Sequence, residues 1–298
     1  MLRNLWIVLV LLPGPQLCAQ TVELLPPGEN LVGEPLSLRI TGLPPDTDVV
    51  LFCELVDRHG RLWLSEPKFR SSEAGEVDPA LQAPIEGEWT NVDALGPLWS
   101  PTRRTQKNAH ERPAGGMAER WAFTAIVEGR PVATASTLRW YRRPEVEEID
   151  LGAEGVVARM FAATGDEPRP GIVIVPGSSG GLPVMEAELL ASHGYATLAL
   201  AYFGEPGLPP DLERVPLEYV ERALEAFQDH DRVDASRVAF LGGSKGGELT
   251  LLIGSRRPDL AALVAVVPSS VVFQSISDRW ERTSSWTVEG EDLAFVPY

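Results

Sequence analysis

The chain has 298 residues, 44% of them hydrophobic and 23% charged, which suits two domains with a core each and excludes a disordered chain. Its formal net charge of −16 argues against nucleic acid and anionic membrane surfaces as partners, because both are polyanions that would repel it. Acidity carries no information about fold.

Residues 1–19 read as an export signal: Arg3 gives a positive start, Leu5 to Leu12 an apolar core and Pro13 a break, with cleavage expected after Ala19. The apolar core is too short to span a bilayer as a helix, so the mature chain is expected to hold no stable membrane span and to be periplasmic or secreted. A lipid anchor on Cys18 is the rival reading. Pro15-Gln16-Leu17 speaks against it, since small residues normally precede a lipidated cysteine. Cys18 and Cys53 are the only cysteines, so the mature chain can form no internal disulfide. Cys53, within Val49-Val50-Leu51-Phe52-Cys53, reads as a buried structural thiol.

Residues 20–143 carry an all-β pattern. Leu36, Leu38 and Ile40 alternate with polar residues, and Val49 to Asp57 joins Leu62-Trp63-Leu64 across Arg58-His59-Gly60 as a hairpin. Trp121, Phe123, Ala125 and Val127 alternate next, and Glu128-Gly129-Arg130-Pro131 turns the chain into a strand from Val132 to Tyr141. Short alternating strands punctuated by Pro and Gly predict a β-sandwich, with Ser71 to Gly116 rich in loops. His59 and His110 have no metal-ligand spacing and read as turn and loop residues, and nothing calls for a metal.

Residues 144–298 alternate strands with helices. The spacing predicts strands at Gly171 to Pro176, Tyr195 to Ala201, Val238 to Leu241 and Ala261 to Val267, with helices at Val184 to Ser192 and Leu217 to Gln228. That grammar predicts a doubly wound parallel sheet, whose active groups gather at the carboxyl ends of the strands.

Gly242-Gly243-Ser244-Lys245-Gly246 spells G-x-S-x-G between a predicted strand and a predicted helix. A nucleophilic serine at such an elbow needs a strained backbone, and side chains two positions either side would collide, so glycine is required there. The elbow would offer the Lys245 backbone N–H to an oxyanion. Gly177-Ser178-Ser179-Gly180-Gly181, after an earlier strand, would supply the second donor from Gly180 or Gly181. The competing readings are two ordinary glycine-rich turns, one with an incidental serine.

Gly242 to Leu249 resembles the nucleophile segment of the type I acyl-CoA thioesterases and bile acid-CoA:amino acid N-acyltransferases. Asn91 to Ser100, Gly180-Gly181-Leu182 and Ala199 to Phe203 are similar to other segments of that family. The resemblance implies an N-terminal β-sandwich followed by an α/β-hydrolase domain, a small acyl-thioester substrate, no cofactor, and a serine or cysteine nucleophile followed by Asp and then His. Beyond Ser244 the chain has Asp259, Asp278 and Asp292 but no histidine. The hydrolase domain is therefore expected to lack its C-terminal part, with the triad Asp and His beyond Tyr298. His193 and His230 fall before strands, at the edge away from the site. The implied activity is acyl-CoA thioester hydrolysis by Ser244; an exported carboxylic ester hydrolase and a non-catalytic binding protein are the alternatives. Oligomeric state is left open.

Overall fold

The computed structural model describes residues 19–105, 110–277 and 282–298. The expected signal, Cys18 and Asp278 lie outside the described residues. The chain divides into two compact units, Met1–Arg139 and Trp140–Tyr298.

The first unit is almost entirely β. Its elements are β1 (Thr21–Leu25), β2 (Asn30–Leu31), β3 (Ser37–Thr41), β4 (Asp48–Val56), β5 (Leu62–Ser65), β6 (Lys68–Arg70), a one-turn helix α1 (Gly96–Trp99), β7 (Thr102–Arg103), β8 (Ala118–Val127) and β9 (Arg130–Trp140). Strands β2-β9-β8-β4-β5-β7 form one sheet, with β6 also paired to β4, and β1 and β3 form a separate antiparallel pair. The two sheets face each other through the inward residues of alternating strands: Leu38 and Ile40 of β3 meet Val49, Leu51 and Cys53 of β4 and Trp121 and Phe123 of β8. The expected β4–β5 hairpin is closed by Asp57, whose carboxylate accepts from the backbone of His59 and Arg61 and from the Trp63 indole.

The second unit continues with β10 (Val146–Ile149), β11 (Ala158–Ala163), β12 (Arg169–Val175), α2 (Val184–Ser192), β13 (Ala196–Leu200), β14 (Val215–Pro216), α3 (Leu217–Gln228), β15 (Val233–Gly243), α4 (Lys245–Arg256), β16 (Ala262–Val266), β17 (Trp286–Val288) and β18 (Glu291–Asp292). Its main sheet runs β10-β11-β13-β12-β15-β16. Strands β13, β12, β15 and β16 pair in parallel, while β11 pairs antiparallel with both β10 and β13, so the expectation of a parallel sheet holds from β13 to β16 and not at the other edge.

Alternation along the central strands sends side chains to both faces, and helices cover both. Val173 and Val175 join α3 and α4 in one core; Ile172 and Ile174 join α2 in the other. Helix α3 is amphipathic, with Leu217, Val220, Leu224 and Phe227 buried on one stripe at helical spacing. The connection after β12 runs to β13 on one side and that after β15 to β16 on the other, so the switch point lies at the carboxyl ends of β12 and β15. Among the described residues no helix is long and apolar enough to cross a membrane.

Candidate active site

Ser244 sits between the end of β15 and the first residue of α4, at φ 55° and ψ −119°. A positive φ is costly for a residue with a Cβ, and such strain persists only where the surroundings over-determine it. Here they do. The Ser244 N–H donates to the Val266 carbonyl of β16 at 2.9 Å, and the Ser244 carbonyl accepts from Glu248 N–H of α4 at 3.1 Å.

The glycines follow from the crowding. A Cβ on Gly242 would lie 2.3 Å from the Gly246 carbonyl oxygen, and one on Gly246 would lie 2.4 Å from the Pro176 carbonyl oxygen. Both obstacles are backbone. The Ser244 side chain is left exposed at the tip, and among the described residues its hydroxyl has no hydrogen-bond partner.

Lys245 begins α4, so its N–H is among the first-turn donors that have no intrahelical acceptor. Its side chain turns inward. The Nζ atom donates to Glu248 Oε1 at 3.1 Å, Ser285 Oγ at 2.9 Å and the Phe273 carbonyl at 3.3 Å. Burial pushes the Lys245 ammonium below its ordinary pKa, against the opposing pull of the Glu248 charge. Glu248 Oε1 in turn accepts from Trp286 Nε1 at 2.8 Å. Sequence reasoning missed this cluster, because Ser285 and Trp286 come from far along the chain and belong to no local motif.

The loop after β12 reaches the elbow through Gly177, whose Cβ, were there one, would sit 3.4 Å from Ser244 Cβ. Of the expected oxyanion donors Gly180 and Gly181, the first is engaged within the loop. The Gly180 N–H donates to the Gly177 carbonyl at 3.2 Å and closes a tight turn, so that donor is occupied. Gly180 packs on the Phe203 ring and Gly181 faces Glu205. Gly177, the first residue of that loop, is the one the structure sets beside the nucleophile.

Two clefts flank the elbow. One of about 290 Å³ is lined by Ser244, Lys245, Pro268, Phe273 and Tyr298, the last two rings stacked with centroids 5.3 Å apart. The other, of about 470 Å³, is walled by Ile174, Gly177, Leu182, Leu241, Gly243 and Val266.

The titratable residues named from sequence lie elsewhere. His193 ends α2 ahead of β13, and His230 precedes β15 with its Nδ1 accepting from Arg232 N–H at 3.1 Å, both at the amino edge of the sheet. His59 and His110 belong to the first unit. Asp259 is held by Arg257 and Gln228, which keep its carboxyl far below the usual range, and Asp292 pairs with Arg214. None of these groups is at the elbow.

Residues 33–153 match the family described as acyl-CoA thioester hydrolase/BAAT N-terminal region, and residues 215–287 match the BAAT/acyl-CoA thioester hydrolase C-terminal family. The chain belongs to the acyl-CoA thioester hydrolase and bile acid-CoA:amino acid N-acyltransferase family. Among its relatives, acyl-coenzyme A thioesterase 6 of Homo sapiens is 34% identical over 83% of this chain and 60% of its own length. The bile acid-CoA:amino acid N-acyltransferase of Mus musculus is 32% identical over 84% of this chain and 62% of its own. The chain thus spans about three fifths of the length of these family members. A putative dienelactone hydrolase from Klebsiella pneumoniae overlaps 48% of this chain at 19% identity with a TM-score of 0.36, too slight a likeness to carry argument. Within this family, the elbow falls in the C-terminal match and the loop at Gly177 falls between the two matches.

Proposed function

We propose that this family member carries acyl-CoA thioester hydrolase chemistry, with Ser244 as the acyl acceptor on an α/β-hydrolase sheet preceded by a β-sandwich. The observation that supports it most is the strained Ser244 backbone, φ 55°, clamped by β16 and α4 and cleared by Gly242 and Gly246. Such a conformation serves to present a hydroxyl at the end of a strand. In the reaction Ser244 Oγ attacks the thioester carbonyl, its proton passes to a base and then to the departing thiolate, and water releases the acid by the same steps. The Lys245 N–H and a donor from the loop after β12 would hold the oxyanion. Export, supported by the reading of residues 1–19, would favour simple carboxylic esters as further substrates.

The general base is not among the residues at the elbow, since all four histidines lie elsewhere. A non-catalytic acyl-binding protein is the second reading. Exposing the 298-residue chain to a fluorophosphonate and mapping the adduct by mass spectrometry separates the two. A slow but stoichiometric adduct on Ser244, abolished in Ser244→Ala, is expected of the hydrolase. Labelling confined to other residues, or none at all, would reject Ser244 as the acyl acceptor.

A further inference from the structure

The loop at Gly177 is held from behind by Tyr202, a residue of the Ala199 to Phe203 segment to which the sequence assigned no role. Tyr202, just past the end of β13, is buried, with 1% of its surface exposed. Its hydroxyl donates to the Pro176 carbonyl oxygen at 2.8 Å and lies 3.4 Å from that of Gly177. In a trans peptide the C=O and N–H point in opposite directions. With the Pro176 carbonyl drawn to Tyr202, the Gly177 N–H is turned away from it. With the Gly177 carbonyl turned to the Gly180 N–H, the Ser178 N–H of the same peptide points the opposite way.

The same carbonyl meets the elbow helix. The Pro176 oxygen is the atom that a Cβ on Gly246 would strike at 2.4 Å, so the bond from Tyr202 fixes a peptide wedged against the first turn of α4. The ring is itself braced: Trp286 packs on it with centroids 5.4 Å apart, and the Trp286 indole is anchored to Glu248 of α4. One connected set of contacts therefore runs from the loop after β12, through Tyr202 and Trp286, to the helix that begins at Ser244.

We propose that Tyr202 is a positioning residue: its hydroxyl sets the peptide before Gly177 so that the N–H groups of Gly177 and Ser178, and not the Gly180 N–H that the turn consumes, are the loop's donors to the oxyanion formed at Ser244. This rests on Ser244 being the acyl acceptor. Burial raises the Tyr202 phenol well above its ordinary range, with the nearby Glu248 charge adding to the effect, so the hydroxyl keeps the proton it donates across the working pH range.

Tyr202→Phe removes the hydroxyl and keeps the ring. The matched control is Tyr219→Phe, which deletes another hydroxyl of the same core, bonded to the Ala201 carbonyl and the Val157 N–H at 2.9 Å each. With a fluorophosphonate, Tyr202→Phe should lower the maximal rate of Ser244 modification about tenfold, less than the hundredfold or more for loss of a donor itself, and leave the half-saturating concentration unchanged. Tyr219→Phe should leave both unchanged while lowering the thermal midpoint by a similar amount. An equal loss of rate in both variants, or none in Tyr202→Phe, overturns the positioning role.

A second measurement needs no variant. In protein carrying isotopically labelled glycine and serine, phosphonylation should shift the Gly177 and Ser178 amide resonances and leave Gly180 in place; the opposite pattern overturns the assignment. A wild-type chain that takes no label at Ser244 rejects the functional reading and this one with it. A chain that labels normally while Tyr202→Phe has no effect rejects this one alone.

Discussion

Gly246 has no room for a methyl group. A Cβ there would lie 2.4 Å from the Pro176 oxygen and 3.0 Å from the Val175 oxygen, backbone atoms at the end of β12 and the start of its loop, so relief requires that segment or the helix to move. Gly246→Ala is expected to cost about 1–3 kcal/mol, the usual range for overpacking, measured by urea unfolding, and to slow Ser244 labelling more than Tyr202→Phe does. Ser244→Ala should be nearly neutral for stability, because the side chain is exposed and both residues carry the same Cβ into the strained turn. At Cys53 the physics is burial instead. Burial pushes its thiol from 9.0 up to about 12, so the unfolded chain ionises before the folded one. Its contribution to stability is present below pH 9 and is lost as pH rises from there toward about 12. Native protein should resist iodoacetamide at neutral pH and react on unfolding; rapid alkylation of the folded chain would contradict a buried thiol.

At the scale of elements, α4 does more than present Ser244. Its first turn carries Lys245 and Glu248, which gather Phe273, Ser285 and Trp286 from the segment after β16. Glu248→Leu would leave the Lys245 ammonium and the Trp286 N–H buried without their carboxylate, an expected loss of about 3–5 kcal/mol in urea unfolding. Adding Lys245→Met should restore part of that loss, since the stranded charge goes with it. Single and double variants of equal stability would show that the pair holds nothing in place. Helix α3 was legible in the sequence because its apolar stripe is local, and so was the elbow, because Gly242, Ser244 and Gly246 stand together in one short motif between strand and helix. Strands β10 and β11 were not: Ala158–Ala163 is buried on both faces and shows no alternation, so it carries no strand period. That the Gly180 N–H is spent within its own loop was not legible, because a sequence records which residues tolerate a turn, not which N–H the turn consumes. Tyr202 and Trp286 were invisible for a related reason, their partners being carbonyls and a carboxylate distant in the chain.

At the scale of the whole chain, charge and the exposed strand β16 act in opposition. β16 ends the main sheet of the second unit, and Leu263, Val264, Val266 and the following Val267 are exposed there, Val267 by 81%. A terminal strand with an apolar face presents unpaired N–H and C=O groups to any similar edge, which favours edge-to-edge association. A formal net charge of −16 on each copy opposes it. The balance must then depend on salt, because screening shortens the reach of like-charge repulsion from about 10 Å at 0.1 M to about 3 Å at 1 M, while the apolar and backbone contributions are not screened. Sedimentation of the 298-residue chain should therefore show self-association that grows with sodium chloride concentration. Val264→Lys, which sets an ammonium on the exposed strand where edge lysines commonly block pairing, should suppress that growth without altering Ser244 labelling. A chain that stays monomeric across the salt series, or a Val264→Lys variant that associates as the wild type does, would show that this edge is not the contact and that the acidity of the chain has no association to restrain.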